Sequence, residues 1–127
     1  MSAWDATVCA CATPVGGERA LLRLSGPQAR AVAVACRLPL PPPWRHHHVD
    51  WPLAGGTCPA RVAFCPAGRS FTGFDLVEIV VPGSPALIVL ALDALRAGGA
   101  EAAPRGAYAR QAYANGRLTL TEAEALL

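Results

Sequence analysis

Two charged side chains stand inside segments whose other residues are typical of β-strands: Glu78 in DLVEIVV and Arg23 in RALLRLSG. Because side chains alternate along a strand, Glu78 shares a face with Leu76 and Val80, and Arg23 shares a face with Leu21. One interpretation is that both charges face solvent or pair with each other. The other is a ligand pocket, since an arginine fork recognises carboxylates and a strand carboxylate accepts hydrogen bonds from the edge of an amidine-like ring.

The basic residues of the chain are all arginine, because its eleven Lys and Arg residues include no lysine. A phosphate-binding loop of the form G-x-x-x-x-G-K-[ST] needs a lysine that reaches the β- and γ-phosphates, so we expect no GTP site on this chain. The net charge of +2 is too small to imply a nucleic-acid partner by itself. One arginine, Arg117, directly follows the Asn-Gly turn of YANGRLTL, which positions its backbone.

Zinc binding is the chemistry that three adjacent histidines, His46 to His48, and five cysteines first suggest. Consecutive loop residues rarely point at one ion, and no two cysteines have the C-x₂-C spacing of a structural zinc site. Cys9 and Cys11 share one strand face and are predicted to be small buried hydrophobic residues. We therefore assign no metal ligands.

The elements that position these residues predict one α+β domain over residues 1–127, with helices packed against a mixed or antiparallel sheet. TVCACAT and RALLRLSG, joined by a glycine-bearing turn, predict a hairpin, and SGPQARAVAVACRL predicts a first helix. CPARVAFCP and FDLVEIVV predict two further strands. Ser84 and Pro85 have the residue types of a helix N-cap and first position, so a second helix is predicted to begin there.

The remaining segments are predicted to be a long loop and a helical tail. Residues 38–57 begin with four prolines within five positions, which forbid helix and interior strand, so a long proline-rich loop is predicted there. Residues 105–127 hold two helical segments, RGAYARQAYANG and TEAEALL. In the second segment, Thr121 and Glu124 have the spacing of a capping box.

The cellular compartment is predicted from the cysteines and the hydropathy. Five cysteines form no regular framework, and no charged segment leads into a signal-peptide core, which favours a reducing cytoplasm. The longest apolar run, PALIVLALDAL, contains Asp93 and is shorter than the ~20 residues that span a membrane. We expect a cytoplasmic protein with no membrane partner.

Three motifs, in the same order and at similar intervals, resemble the N-terminal domain of the MnmE (TrmE) family of tRNA-modification GTPases. ATP at 12–14 with LLRLSGP at 21–27 is similar to the family's AT-P-x-G turn and R-[IL]-SG strand end. SFTGFDLVEI at 70–79 resembles SFTGED-[VM]-[VL]-E-[IL], and NGRLTLTEAEA at 115–125 resembles N-[GD]-K-[LM]-DL-x-x-AEA. The resemblance extends from residue 12 to residue 125.

This resemblance implies a fold like the folate-binding domain of glycine-cleavage T proteins. It also implies that the domain binds 5-formyl-tetrahydrofolate and dimerises, as the N-terminal domain of the family does. The family's ligand positions correspond to Arg23, Glu78 and Arg117, with Glu78 accepting hydrogen bonds from the pterin edge. The folate would supply a one-carbon unit for modifying the tRNA wobble uridine. The implied partners are a second copy of the chain in a homodimer, an MnmG-type FAD protein and, through domains that this sequence does not contain, tRNA.

The sequence departs from the family at several of these motifs. The family's HGG becomes PGS at 82–84, and PGEF-[ST]-x-RA-F becomes RGAYARQAYA, with Ala107 in place of a glutamate and Gln111 in place of an arginine. Arg117 replaces a lysine, which keeps the charge but changes its geometry. Without the family's GTPase domain, either a fragment or a reduced paralogue is implied. Two alternatives stay open: a scaffold that has lost its ligand, and a stand-alone folate-dependent transferase.

Overall fold

The computed structural model describes residues 5–14 and 16–126, which form one six-stranded sheet with four helices. The elements in chain order are β1 (Val8–Cys11), β2 (Arg19–Ser25), α1 (Ala29–Ala35), β3 (His46–Leu53), β4 (Gly56–Cys65), β5 (Leu76–Pro82), α2 (Pro85–Ala97), β6 (Glu101–Ala102), α3 (Ala107–Ala114) and α4 (Leu120–Ala125). The strand order is β3-β4-β5-β2-β1-β6, and every pairing is antiparallel except that of β1 with β6. The predicted α+β class with a mixed sheet is therefore confirmed.

One face of the sheet, here called the core face, carries the aliphatic residues that alternation predicted. Leu22 on β2 and Ile79 on β5 are fully buried there, and they lie directly opposite each other across the two strands. The helices α1 and α2 cover this face through Val32 and Leu95. Burying each such side chain contributes about 1.5–3 kcal/mol, so this layer supplies most of the hydrophobic stabilisation of the fold.

The predicted proline-rich loop over residues 38–57 is wrong for its second half, which forms β3 and the start of β4. The two strands meet in a hairpin in which Leu53 pairs with Gly56, and Gly55 between them has a φ of +88°, which suits a residue without a Cβ. The proline in β3, Pro52, is tolerated because β3 is an edge strand and needs hydrogen bonds on one side only. Trp51 secures the strand, since it is fully buried and its Nε1 donates to the Cys36 carbonyl.

The second helix begins as predicted, with Ser84 at the N-cap position and Pro85 in the first turn. The tail is helical in α3 and α4, although the predicted capping box is displaced by two residues. Thr119, not Thr121, is the N-cap of α4, and it exchanges hydrogen bonds with Glu122, not Glu124. Thr119 has extended backbone angles directly before the helix, so the earlier threonine is the one with capping geometry. Residue 127 lies outside the described part of the chain.

Candidate functional site

The opposite face of the sheet, here called the open face, carries Arg23 and Glu78 directly across from each other on β2 and β5. Arg23 Nε donates to Glu78 Oε2 at 3.1 Å, and the two side chains are 41% and 31% exposed. Sequence alternation thus placed both charges on the correct face, and the structure brings them together as an ion pair. Such a partly exposed pair contributes about 0–1 kcal/mol to stability, so stability alone gives little reason for its presence.

The pair leaves much of its hydrogen-bonding capacity unused. Within residues 5–14 and 16–126, neither the second oxygen of Glu78 nor the two terminal amino groups of Arg23 forms a further hydrogen bond with the protein. An ionised carboxylate accepts about four hydrogen bonds and a guanidinium donates five. These free groups are therefore available to water or to a ligand.

The immediate neighbours of the pair are small and apolar. Ala10 on β1 lies opposite Arg23, and Ala63 on β4 lies opposite Glu78, so an alanine stands on each side of the pair. Leu21 and Val80, which are also opposite each other, form the next row and are only partly buried. This arrangement offers a shallow apolar floor on which a flat ring can lie, with polar groups at its centre.

The helix α3 closes one end of the open face through side chains that hold it to the backbone of β2. Tyr108 Oη donates to the carbonyl of Arg23 at 3.1 Å. Gln111 is buried, and its Nε2 donates to the carbonyls of Ala6 and Ser25 at 3.1 and 3.2 Å while its Oε1 accepts from Ser25 Oγ at 2.7 Å. Gln111, which replaces the arginine of the family motif, thus serves here to attach α3. Burial raises the pKa of the Tyr108 phenol, so this group stays neutral.

The third predicted site residue, Arg117, is positioned by a different set of contacts. Its Nε donates to the carbonyl of Ser70 at 3.1 Å and a terminal amino group donates to that of Arg69 at 3.4 Å. These acceptors belong to the segment that leads into β5. Arg117 therefore holds this segment against the end of α3, whereas the structure gives it no hydrogen bond to the Arg23–Glu78 pair.

Asn115 also binds the segment that leads into β5. Its Nδ2 donates to the carbonyl of Thr72 at 2.9 Å, and the adjacent Gly73 has a φ of +82°. A Cβ at position 73 would stand 2.4 Å from the Cβ of Asn115, so only glycine fits at this contact. The FTG and NG motifs of the sequence, separated by some forty residues, are thus two halves of one packing contact.

A groove of about 540 Å³ lies on the open face beyond Leu21 and Val80. Its charged and titratable lining residues are Glu18, Arg19, His48, Asp50 and Arg61. The sequence analysis did not single out Arg61, although it could have been found by the same test as Arg23: an arginine that alternates with buried residues, here Ala60 and Val62 on β4. The histidines near it are separated by alternation, since they lie on a strand.

Cys9 is buried in the core, as predicted, whereas Cys11 is only partly buried and packs against the core. Burial raises the pKa of the Cys9 thiol, which keeps it protonated. All five cysteines are free.

In the part of the chain that the structure describes, no three His, Cys, Asp or Glu residues are grouped so that they could hold a metal ion. No helix there is long and apolar enough to cross a bilayer.

Comparison with known proteins identifies the family. The family described as "GTP-binding protein TrmE N-terminus" matches residues 7–117. The tRNA modification GTPase MnmE of Halorhodospira halophila is 42% identical over 123 residues, which cover 94% of this chain and 26% of the relative. The MnmE proteins of Alkalilimnicola ehrlichii and Opitutus terrae are each 40% identical, over 94% and 95% of this chain and 28% and 27% of their own lengths. The chain spans about a quarter of the length of these relatives and belongs to the MnmE/TrmE family, of which it is the N-terminal domain.

Proposed function

We propose that this domain binds 5-formyl-tetrahydrofolate on the open face of the sheet and acts as the folate-binding module of a tRNA-modification protein. The observation that carries the proposal is the Arg23–Glu78 pair with its unused donors and acceptors between two alanines. The free oxygen of Glu78 accepts hydrogen bonds from the amino-pyrimidine edge of the pterin, and the terminal amino groups of Arg23 donate to a carbonyl of the ligand. Both interactions are charge-assisted and hence stronger than neutral ones.

Arg117 contributes to this proposal in two ways. Its Nε and one terminal amino group hold the segment that leads into β5, so it keeps Glu78 in register with Arg23. Its remaining donors and its positive charge are directed to the polar groups or the glutamate of the ligand. An arginine at this position keeps the charge of the lysine that the family motif has, with a planar fork in place of a point charge.

We also propose that the domain forms a homodimer. Seven large hydrophobic side chains in the described part of the chain are exposed, among them Val34, Val89 and Leu126. Apolar residues form 53% of a chain too small to bury all of them, and association covers such surface. The chain spans about a quarter of the length of its MnmE relatives, so cooperation with an MnmG-type FAD protein and with tRNA is proposed only for a full-length protein that contains this domain. GTP is not a proposed ligand, because the chain has no lysine.

Calorimetric titration with 5-formyl-tetrahydrofolate tests the folate site. Glu78→Gln keeps the shape of the side chain but replaces one acceptor with a donor, so we expect affinity to fall by roughly ten- to a hundredfold. Glu124→Gln is the matched control, since Glu124 is exposed on α4, and it should bind as the unmodified chain does. Equal affinities for both variants would show that Glu78 does not contact the ligand.

A ligand-free scaffold is the second candidate function, and one observation favours it: Arg23 and Glu78 already satisfy part of each other's charge. In that case, the ion pair is what remains of a ligand site that has lost its function. The scaffold would then dimerise without binding folate. If millimolar folate gives no heat of binding while sedimentation shows a dimer, the scaffold replaces the folate module as the function of this domain.

A further inference from the structure

We propose that Gln111 is a positioning residue for the site formed by Arg23 and Glu78. Through Ser25 and Thr72 it joins three parts of the chain that border the ion pair: the end of β2, the segment before β5, and α3. Gln111 is only 3% exposed, so it acts through these neighbours and not by touching a ligand. The inference deepens the proposed function and rests on it for its consequence on folate affinity.

The three side chains form one directional chain of hydrogen bonds. Gln111 Oε1 carries no hydrogen, so Ser25 Oγ donates to it at 2.7 Å. The single hydroxyl hydrogen of Ser25 is then used, so Thr72 Oγ1 donates to Ser25 Oγ, also at 2.7 Å. Thr72 Oγ1 in turn accepts from the Phe74 amide at 3.3 Å. Hydrogen bonds aligned in this way polarise and strengthen one another.

The amide nitrogen of Gln111 fixes the direction of this chain. It donates to the carbonyl of Ala6, which precedes β1, and to the carbonyl of Ser25. The side-chain oxygen would find no donor at these two acceptors, so the amide has one orientation. In the described part of the chain, no buried side-chain nitrogen or oxygen lacks a hydrogen-bond partner. A buried network that is satisfied in full rigidifies the elements it joins.

The network ends next to the ion pair. Ser25 follows Arg23 by two positions on β2, so it lies about 6.6 Å further along the same face of the sheet. The partner of Ser25 on β5 precedes Glu78 by two positions. Tyr108, which lies about one helical turn before Gln111, donates to the Arg23 carbonyl. Gln111 therefore fixes both the strand ends beside the pair and the helix that carries Tyr108.

Stability alone does not require polar side chains at this place. A buried hydrogen-bonded group can be replaced almost without cost when both partners become apolar groups of the same shape. The same helix already buries the small apolar side chains of Ala109 and Ala112. A satisfied polar network specifies one arrangement of the elements around it, and a site whose donors and acceptors must meet a ligand needs such support.

The first test needs no ligand. The NMR signal of the Arg23 Nε–H group reports its hydrogen bond to Glu78 Oε2. Gln111→Met keeps the length of the side chain but removes its donors and its acceptor, so we expect the Arg23 signal to move toward its position in Glu78→Gln. Val32→Ala is the control, because it removes buried methyl groups on the core face, lowers stability, and should leave the signal in place.

A second variant interrupts the same network at its other end. Thr72→Val keeps the shape of the side chain and removes the hydroxyl that donates to Ser25. It should move the Arg23 signal in the same direction as Gln111→Met, and it carries the test if Gln111→Met does not fold. An Arg23 signal that stays at its unmodified position in the folded variants would overturn the inference.

The second test measures affinity for 5-formyl-tetrahydrofolate by calorimetry, at a temperature where circular dichroism shows each variant to be folded. Gln111→Met should bind roughly five- to tenfold more weakly, because the ligand must then order the site. Tyr108→Phe removes one neutral hydrogen bond and should weaken binding about twofold. Val32→Ala should bind as the unmodified chain does. A purely structural role for Gln111 instead predicts equal affinities for the folded Gln111→Met and Val32→Ala variants, and this result would overturn the inference.

The two tests separate this inference from the proposed function. If the unmodified chain binds no folate while Gln111→Met still moves the Arg23 signal, the folate proposal fails and the positioning role stands. If the unmodified chain binds folate and Gln111→Met matches it in both affinity and NMR signal, the positioning role fails and the folate proposal stands. An equal loss of affinity in Val32→Ala would also overturn the inference, because affinity would then follow stability alone.

Discussion

The two faces of the central sheet are built by the same strands but differ in burial and in charge. On the core face, β2 and β5 present Leu22 and Ile79, which are sealed under α1 and α2. On the open face, one residue away along each strand, they present Arg23 and Glu78, which are partly exposed and lie between alanines. Because a strand points successive side chains in opposite directions, the buried core and the proposed ligand site are separated by a single sequence position.

The largest expected effect on stability comes from comparing alanine substitutions at two adjacent leucines, one on each face of the sheet. Leu22→Ala removes a fully buried side chain and should lower the free energy of unfolding by about 2–5 kcal/mol. Leu21→Ala, on the partly exposed open face, makes the same chemical change and should cost clearly less. Urea unfolding followed by circular dichroism measures both, and equal losses would show that the two faces do not differ in burial.

The attachment of the segment before β5 is tested by glycine substitutions. Gly73→Ala forces a positive φ on alanine and drives its Cβ into Asn115, so we expect a loss of about 2–4 kcal/mol. Gly68→Ala has a similar φ of +93° but meets open space, and should cost only the backbone strain of about 1–2 kcal/mol. Thermal unfolding of the two variants is the measurement. A Gly73→Ala variant as stable as Gly68→Ala would mean that the contact with the 115–117 turn is loose.

A smaller effect is expected in α4, which belongs to neither face of the sheet. Thr119→Ala removes the N-cap hydrogen bond to the Glu122 amide and should cost the helix about 1 kcal/mol. The hydrogen bonds from Thr119 also lower the pKa of the Glu122 carboxyl. A lowered pKa in the folded state stabilises the helix above the carboxyl's unfolded pKa, and this contribution is lost as the pH falls through the folded value. Amide exchange of Glu122 at pH 7 and below 4 measures both effects; pH-independent protection would contradict them.

The smallest stability effect is expected at the ion pair itself. Glu78→Gln should change the free energy of unfolding by less than about 1 kcal/mol, because the pair is half exposed and solvent screens it. The same chemical unfolding experiment used for the leucine variants measures this change. A loss comparable to that of Leu22→Ala would show that the open face is needed for folding, and the division between the two faces would fail.

Alternation was enough to predict the faces of β2 and β5, because it is a local property of extended backbone. It could not predict that Arg23 stands opposite Glu78, since register between strands so far apart depends on the whole sheet. The proline-rich loop was extended too far, because the four prolines at 39–43 restrict only their own positions and β3 begins after them. The role of Gln111 could not be predicted either, because its partners, the Ala6 carbonyl and both the carbonyl and hydroxyl of Ser25, come within reach only in the folded chain.

The pairing of β2 with β5 also has a consequence for the assembly of the chain. Arg23 and Glu78 are 55 positions apart, whereas β3 and β4 are joined by a tight turn and β4 is joined to β5 by the shorter segment 66–75. Closing a long loop costs more entropy than closing a short one, so the local β3–β4–β5 meander forms at lower cost than its union with the β1–β2 hairpin. The β1–β2 hairpin carries Arg23 and the β3–β4–β5 meander carries Glu78. A nascent chain therefore has no ion pair until residue 78 has been synthesised and the two units have joined.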